Sequence, residues 1–296
     1  MFRTQSIIMQ TCNSGNGQEL SRNDINKLHK HLLTMYRDVE KVCSKHGIKI
    51  CLAYGNVIGA LRHNGWIPWD DDMDIHMSRK DYDNFLTLYA SELPSRYIVS
   101  SYLSKGGSKA RFAKIIDTST TYVPIDGEKD EESGVFLDIF PIDSIPNQPI
   151  RNKIRRAIAL FLMFTANSVK QFQESSPKYK SLMFLTKNGR QAWRLRQFWG
   201  AIFSIINYRK WHAAIERFGI NKESETVHIM ASSKFSYKPL PKSMFFPFRE
   251  ITLPELGTVM IPNKANEYLT TWYGNWEIVP DDKDKWHHYV SEFYIP

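Results

Sequence analysis

Between Tyr54 and Met77 the chain reads YGNVIGALRHNGWIPWDDDMDIHM, and within it Asp70, Asp72 and Asp74 recur at every second position. On a β-strand from Trp69 to Met77 successive side chains leave on opposite faces. That puts the three carboxylates on one face and turns Met73 and Ile75 away from it, toward a core. Three like charges at that spacing repel each other, and half-buried they are costly unless a cation balances them. Ligands that are all oxygen favour a hard divalent ion, Mg²⁺ or Mn²⁺. The plainer alternative is an acidic turn. Against it stand Ile67-Pro68-Trp69 in front and Met73, Ile75 and Met77 inside the run.

A fourth carboxylate adds weight. Asp138 lies at the centre of GVFLDIFPID (Gly134 to Asp143), an apolar run read as a strand that Pro141 and Pro146 close. A lone carboxylate there is expensive to bury without a partner. Beside the aspartate strand it completes a three-carboxylate site with Asp72 and Asp74. One or two Mg²⁺ held there can bridge the phosphates of a nucleotide and offset charge during phosphoryl transfer. On an edge strand Asp138 would instead face solvent. Gly55 and Asn56 let the backbone approach a phosphate, with the amides of a following helix as donors. Arg62 and Lys114 are candidate phosphate clamps, or else surface cations. Trp66 and Trp69 read as core residues or as a stacking surface for a base. His287 and His288 read as a proton-transfer pair or ligand, or as ordinary tail residues.

The elements that must position these groups follow from local pattern. Residues Met1 to Leu20 are polar and read as a leader. A helix capped by Ser21 or Asn23 carries Leu28, Leu32, Met35 and Val39 at helical spacing and stops at His46-Gly47. A strand over Ile48 to Tyr54, a helical turn over Val57 to His63 and a turn at Asn64-Gly65 lead to the aspartates. Lys80 to Leu93 reads as a helix with Tyr82, Phe85, Leu86 and Tyr89 on one side. Strands follow over Tyr97 to Leu103 and Ala110 to Asp117, with Gly106-Gly107 turning between them. Ile125 to Ser133 reads as a charged loop. From Arg151 to Tyr208 the texture becomes that of amphipathic helices with basic ends, built for helix packing or for a membrane surface. Short strands near Phe245 to Leu253 and Thr258 to Ile261, then a helix over Asn263 to Tyr273, complete the chain.

The chain has 296 residues, 42% hydrophobic and 13% aromatic, enough to bury a sizeable core. Its net charge of +8 favours anionic partners: nucleotides, phosphorylated glycans, nucleic acid or a membrane surface. Three cysteines, Cys12, Cys43 and Cys51, make no C-x-x-C pair and suit a reducing compartment. With no signal-peptide pattern and no spanning apolar run, the expected location is cytoplasmic, with peripheral contact to a membrane. No RNA-binding module is evident, so no nucleic acid is expected as partner.

Taken together, these blocks resemble the LicD/fukutin family. The segment from Tyr54 to Phe85 is similar to its glycine turn, Leu-Leu-Gly-Ala-x-Arg-His and Asp-Asp-Asp-x-Asp-Ile signature, with Asn56 where the family more often has Thr or Ser. GVFLDIFPIDSIP (Gly134 to Pro146) is similar to its second block, and FFPFREITLP with VMIPNKANEYLTTWYGNW to its C-terminal region. The resemblance implies an α/β (α+β) fold, a nucleotidyltransferase-like mixed sheet with flanking helices and a helical middle segment. Residues 21–150 would form the catalytic core, and 151–296 a helical insertion and C-terminal part of the same domain. It implies Asp72 and Asp74 as metal ligands, Asp138 as third carboxylate, and Asp70 as a base or supporting group. It implies an Mg-dependent transferase that moves a phospho-alcohol, phosphocholine above all, from a CDP-linked donor such as CDP-choline. The acceptor would be a hydroxyl of a glycan or lipid-linked glycan precursor of lipopolysaccharide, capsule or teichoic acid, with release of CMP. The rivals are a nucleotidyltransferase acting on another acceptor and a non-catalytic glycan- or membrane-binding protein that keeps the site.

Overall fold

The computed structural model describes residues 19–125, 127–282, 285 and 289–296. Most of the expected leader, with Cys12, and the His287-His288 pair lie outside the described residues. The first helix, α1 (Arg22–Lys45), begins where Ser21 accepts the amide of Asp24, and Gly47 at φ 67° ends it. Its stripe of Leu28, Leu32, Met35 and Val39 is fully buried.

β1 (Ile50–Leu52) then leads straight into α2 (Tyr54–Ile58), which continues as a π-helical turn to His63. Gly55 and Asn56 therefore lie inside this helix; the turn expected from Val57 starts three residues early, at Tyr54. Asn64 in the left-handed region (φ 58°) closes it. β2 (Asp74–Ser78) is shorter than the expected strand from Trp69, because residues 70–73 are mostly held by side chains instead of a neighbouring ladder. The expected alternation survives: Asp70, Asp72 and Asp74 are half-buried, whereas Asp71, Met73 and Ile75 are buried.

After β2 come α3 (Arg79–Asn84), prolonged by a π-helical turn at Phe85–Tyr89, then β3 (Tyr97–Ser100), β4 (Ala113–Asp117), β5 (Thr121–Pro124) and β6 (Val135–Ser144). Pro141 does not close β6. The Asp138 amide points to the β2 side, where it donates to the Met73 carbonyl. By alternation the Pro141 nitrogen faces the other side, in the gap between the ladder with β4, which ends at Ile139, and a later one at Asp143. No donor is needed there.

The helical stretch comprises α4 (Pro149–Glu174), α5 (Pro177–Phe184), α6 (Lys187–Phe203) and α7 (Tyr208–Gly219). Then follow β7 (Thr226–His228), β8 (Leu240–Pro241), the hairpin β9 (Arg249–Leu253) and β10 (Gly257–Ile261), α8 (Ala265–Tyr273) and β11 (Val290–Tyr294). β11 pairs with β5 in antiparallel fashion.

The main sheet runs β1-β2-β6-β4-β3, with β7 and β8 extending it from the far end of β6. β2 and β6 are parallel, and the other pairs are antiparallel. It is a mixed sheet with flanking helices, as the α/β expectation requires. β6 is almost continuously buried, as a strand covered on both faces must be. Residues from α1, β2, β6, the β9–β10 hairpin and α8 share one core. Each fully buried Leu or Phe in it contributes roughly 1.5–3 kcal/mol.

Candidate functional site

The centre of the sheet gives the site its shape. In the parallel register Asp74 of β2 lies beside Asp138 of β6, and in the antiparallel register Asp138 lies beside Lys114 of β4. Side chains opposite one another in a sheet share a face, so two carboxylates and an ammonium form one row across three strands. The Lys114 Nζ sits 2.7 Å from Asp138 Oδ1 and 3.0 Å from Oδ2. The Phe136 ring lies under the same nitrogen, 3.4 Å from its centroid.

The four residues ahead of β2 carry the other carboxylates into this row, and each is fixed by a different part of the chain. His29 of α1 donates through Nε2 to the Asp70 carbonyl at 2.8 Å. Tyr122 of β5 donates to the Asp71 carboxylate at 2.7 Å. Asn56 of α2 spans the end of the loop, donating to the Asp72 carbonyl at 3.2 Å and accepting the Asp74 amide at 2.6 Å. The Asp138 amide holds the Met73 carbonyl at 3.0 Å. Packing supports the same loop: the His29 ring stacks on Trp66 with centroids 4.4 Å apart, so Trp66 belongs to the core.

Electrostatics sets the loop's character. Burial holds the Asp74 carboxyl well above the usual carboxylate range, and repulsion from Asp72, Asp138 and Asp70 adds to it. Lys114 works in the opposite direction. The phenol of Tyr273, at the end of α8, is raised by burial of its hydroxyl end and then by the charges of Asp74, Asp70 and Asp72, while the residue as a whole is 46% exposed. The Tyr54 phenol is raised by burial and by Asp74.

Arg111, just ahead of β4, is brought down to about 10 by burial; the Tyr54 hydroxyl beside it works the other way. Among the described residues no carboxylate pairs with that guanidinium. Arg111, Tyr54 and Tyr273 were not singled out from sequence. Their only signal is placement, which a linear pattern does not carry.

The sequence-nominated residues thus divide. Asp70, Asp72, Asp74, Asp138 and Lys114 come together. Gly55 adjoins them: a Cβ built there would stand 2.9 Å from Asp70 Oδ2, so the glycine leaves room for that carboxylate. Asn56 and Arg62 have other duties. The Asn56 amide group is spent on the aspartate loop. Arg62 donates to the carbonyls of Trp276 (2.6 Å) and Ile278 (3.0 Å), tying the end of α2's π-turn to the segment after α8.

Among the described residues no three His, Cys, Asp or Glu side chains stand as a ready metal cage, and Asp138 is ion-paired with Lys114. Mg²⁺, however, commonly uses one or two carboxylates and completes its shell with water and substrate phosphate. The all-oxygen group around Asp74, whose own charge is opposed by burial and by its neighbours, fits an ion of that kind.

A support network lies at the other end of β2 and β6. Arg79 reaches Asp143 (Nε to Oδ1, 2.6 Å) and Glu216 (3.1 Å), joining α3, β6 and α7. Burial pushes Glu216 up to about 7.

Comparison with known proteins agrees with this geometry. Residues 47–156 match the family model described as LicD/FKTN/FKRP, nucleotidyltransferase domain, a span that contains the aspartate loop, Lys114 and Asp138. The chain is 28% identical over 268 residues to the lipopolysaccharide cholinephosphotransferase LicD of Haemophilus influenzae, covering 86% of this chain and 91% of the relative. An uncharacterised protein of Rickettsia typhi is 37% identical over 59 residues, 19% of each chain. The family model is thus seated on the site-bearing residues, and the likeness to a LicD transferase extends over most of both chains.

Proposed function

We propose that this protein is a transferase that moves a phospho-alcohol, phosphocholine in the first instance, from a CDP-linked donor to a hydroxyl of a glycan or lipid-linked glycan precursor. The observation that carries this reading is the row Asp74–Asp138–Lys114 with Asp70 and Asp72 beside it, a concentration of carboxylates whose mutual repulsion a bound cation would relieve. The relative from H. influenzae, named as a lipopolysaccharide cholinephosphotransferase, supports phosphocholine and a glycan acceptor.

Asp72 and Asp74, with Asp138 as a third carboxylate, are the residues that would hold Mg²⁺ or Mn²⁺. Such an ion supplies counter-charge to the donor pyrophosphate. The chain's own groups do the rest. Lys114 is ion-paired with Asp138, and Arg111 offers positive charge at the donor phosphates. Asp70, set over Gly55, is the carboxylate placed to take the acceptor proton. The acceptor oxygen bonds to the phosphocholine phosphorus, the bond from that phosphorus to the CMP oxygen breaks, and CMP leaves.

The deciding experiment incubates purified protein and a glycan acceptor with CDP-choline, CDP-ribitol or CDP-glycerol and Mg²⁺, and follows the products. Release of CMP with choline phosphate on the acceptor is expected, and EDTA should stop it. Release of pyrophosphate from a nucleoside triphosphate instead would make the protein a nucleotidyltransferase. Turnover by Asp72→Ala at the wild-type rate would remove the site assignment.

A further inference from the structure

α4 and α6 lie against each other so closely that a Cβ on Gly200 would collide with the Ser168 carbonyl. At about 100° per residue, the α4 face that closes on α6 at Thr165 and Ser168 is also the face that bears Ile150, Ile154 and Phe161 toward its start. There nothing covers it among the described residues, and Ile150 is 79% exposed. On α6, Trp193 and Gly200 face inward, while Phe198 (67% exposed) and Ile202 lie on the opposite side. Ile205, just beyond that helix, is 94% exposed. Both stripes therefore look the same way. Phe161 joins them, its ring 5.9 Å from Trp199 and 6.2 Å from Phe203.

Charge singles out the partner. α4 carries five Lys or Arg residues and α6 four, and across both helices Glu174 is the only acid. The start of α4 also lines a groove of about 560 Å³ in which Ile150 and Ile154 form walls beside Arg151 and Arg155. Exposed apolar side chains grouped on one side and rimmed by cations mark an interaction surface. A second copy would bring a face of like charge. No helix among the described residues is long and apolar enough to cross a membrane.

We propose that the exposed faces of α4 and α6 form a docking surface for an anionic phospholipid bilayer. Phe198, Ile202 and Ile205 enter the acyl boundary while the flanking cations meet lipid phosphates. The surface stands apart from the carboxylate row, and the proposal holds whatever donor the site takes. If the transfer reading also holds, a lipid-linked acceptor is brought within reach of the enzyme.

Flotation of the full chain, without donor or acceptor, tests it. Binding to vesicles of phosphatidylcholine with phosphatidylglycerol is expected, with weak binding to phosphatidylcholine alone and loss in high salt. The double variant Phe198→Glu, Ile202→Glu should bind those anionic vesicles about tenfold or more weakly while keeping its circular dichroism and melting temperature. Absence of wild-type binding to anionic vesicles overturns the proposal, as does wild-type binding by the variant. So does a wild-type dimer that the substitutions dissociate without any change in vesicle binding, which would assign the face to a second copy.

Discussion

Gly55 and Asp70 are packed so tightly that a methyl group on the first would lie 2.9 Å from a carboxylate oxygen of the second. The separation is below any ordinary carbon–oxygen contact, so Gly55→Ala must push Asp70 aside or tilt α2. Overpacking of this kind costs about 1–3 kcal/mol. Displacement of the carboxylate by about 1 Å is expected to lower turnover roughly 100-fold. The variant should remain folded by circular dichroism, with a modestly lower melting temperature and a kcat loss out of proportion to it.

Asn56→Ala removes a donor and an acceptor together, leaving the Asp72 carbonyl and the Asp74 amide without their side-chain partner. Loss of a buried partner costs about 1–3 kcal/mol. Asn56→Asp still accepts the Asp74 amide but no longer donates to Asp72, and it adds a charge beside four others. We expect Asn56→Asp to be the more damaging to turnover of the two, measured as CMP release at saturating donor.

Asp74→Asn should separate stability from function. Burial and three neighbouring carboxylates oppose the ionised Asp74 side chain, so a neutral amide relieves that repulsion. The variant is expected to melt higher than wild type at neutral pH without added metal, and to be inactive. A lower melting temperature would mean that Asp74 is a structural residue.

Glu216 gives a pH signature remote from the site. Its carboxyl is raised to about 7 by burial, with Arg79 opposing the shift and Asp143 adding to it. The interior prefers the protonated form. This contribution to stability is therefore fully present below the unfolded value of 4.5 and is lost as pH rises through about 7. Thermal melts should fall over that window by an amount on the order of 1–3 kcal/mol, and Glu216→Gln should flatten the fall. Arg79→Met, which strands Asp143 and Glu216 together, should destabilise by about 3–5 kcal/mol at pH 7.

Much of this was legible in the linear chain, for reasons that differ by element. The α1 stripe and the long basic helices announce themselves because burial on one helical face imposes a period. The alternation of Asp70, Asp72 and Asp74 survived for a similar reason: an extended backbone alternates whether or not a neighbouring strand pairs with it. The placement of Asp138 beside Asp74 was readable from the cost of burying a charge. Lys114 was nominated as a phosphate clamp, yet its partnership with Asp138 comes from sheet register, which depends on residues far away in sequence. Gly55 and Asn56 read as a place where backbone approaches a phosphate; the structure puts them inside a helix that starts at the left-handed Tyr54 (φ 45°) and turns the Asn56 side chain to the aspartate loop, a side-chain role that local pattern does not carry. Arg111 and Tyr273 carry no local signal at all.

The aspartate loop is anchored by His29, Tyr122 and Asn56, which stand 41, 51 and 16–18 residues away along the chain. None of these anchors can form until helices and strands distant in sequence have met, so the order of the loop depends on the sheet and its flanking helices being in place. The amides of Asp74 and Asp138 should then exchange with solvent only through global opening, as slowly as any in the sheet. A destabilising change anywhere in the core would be read out as a smaller population of intact sites, each working at the full rate.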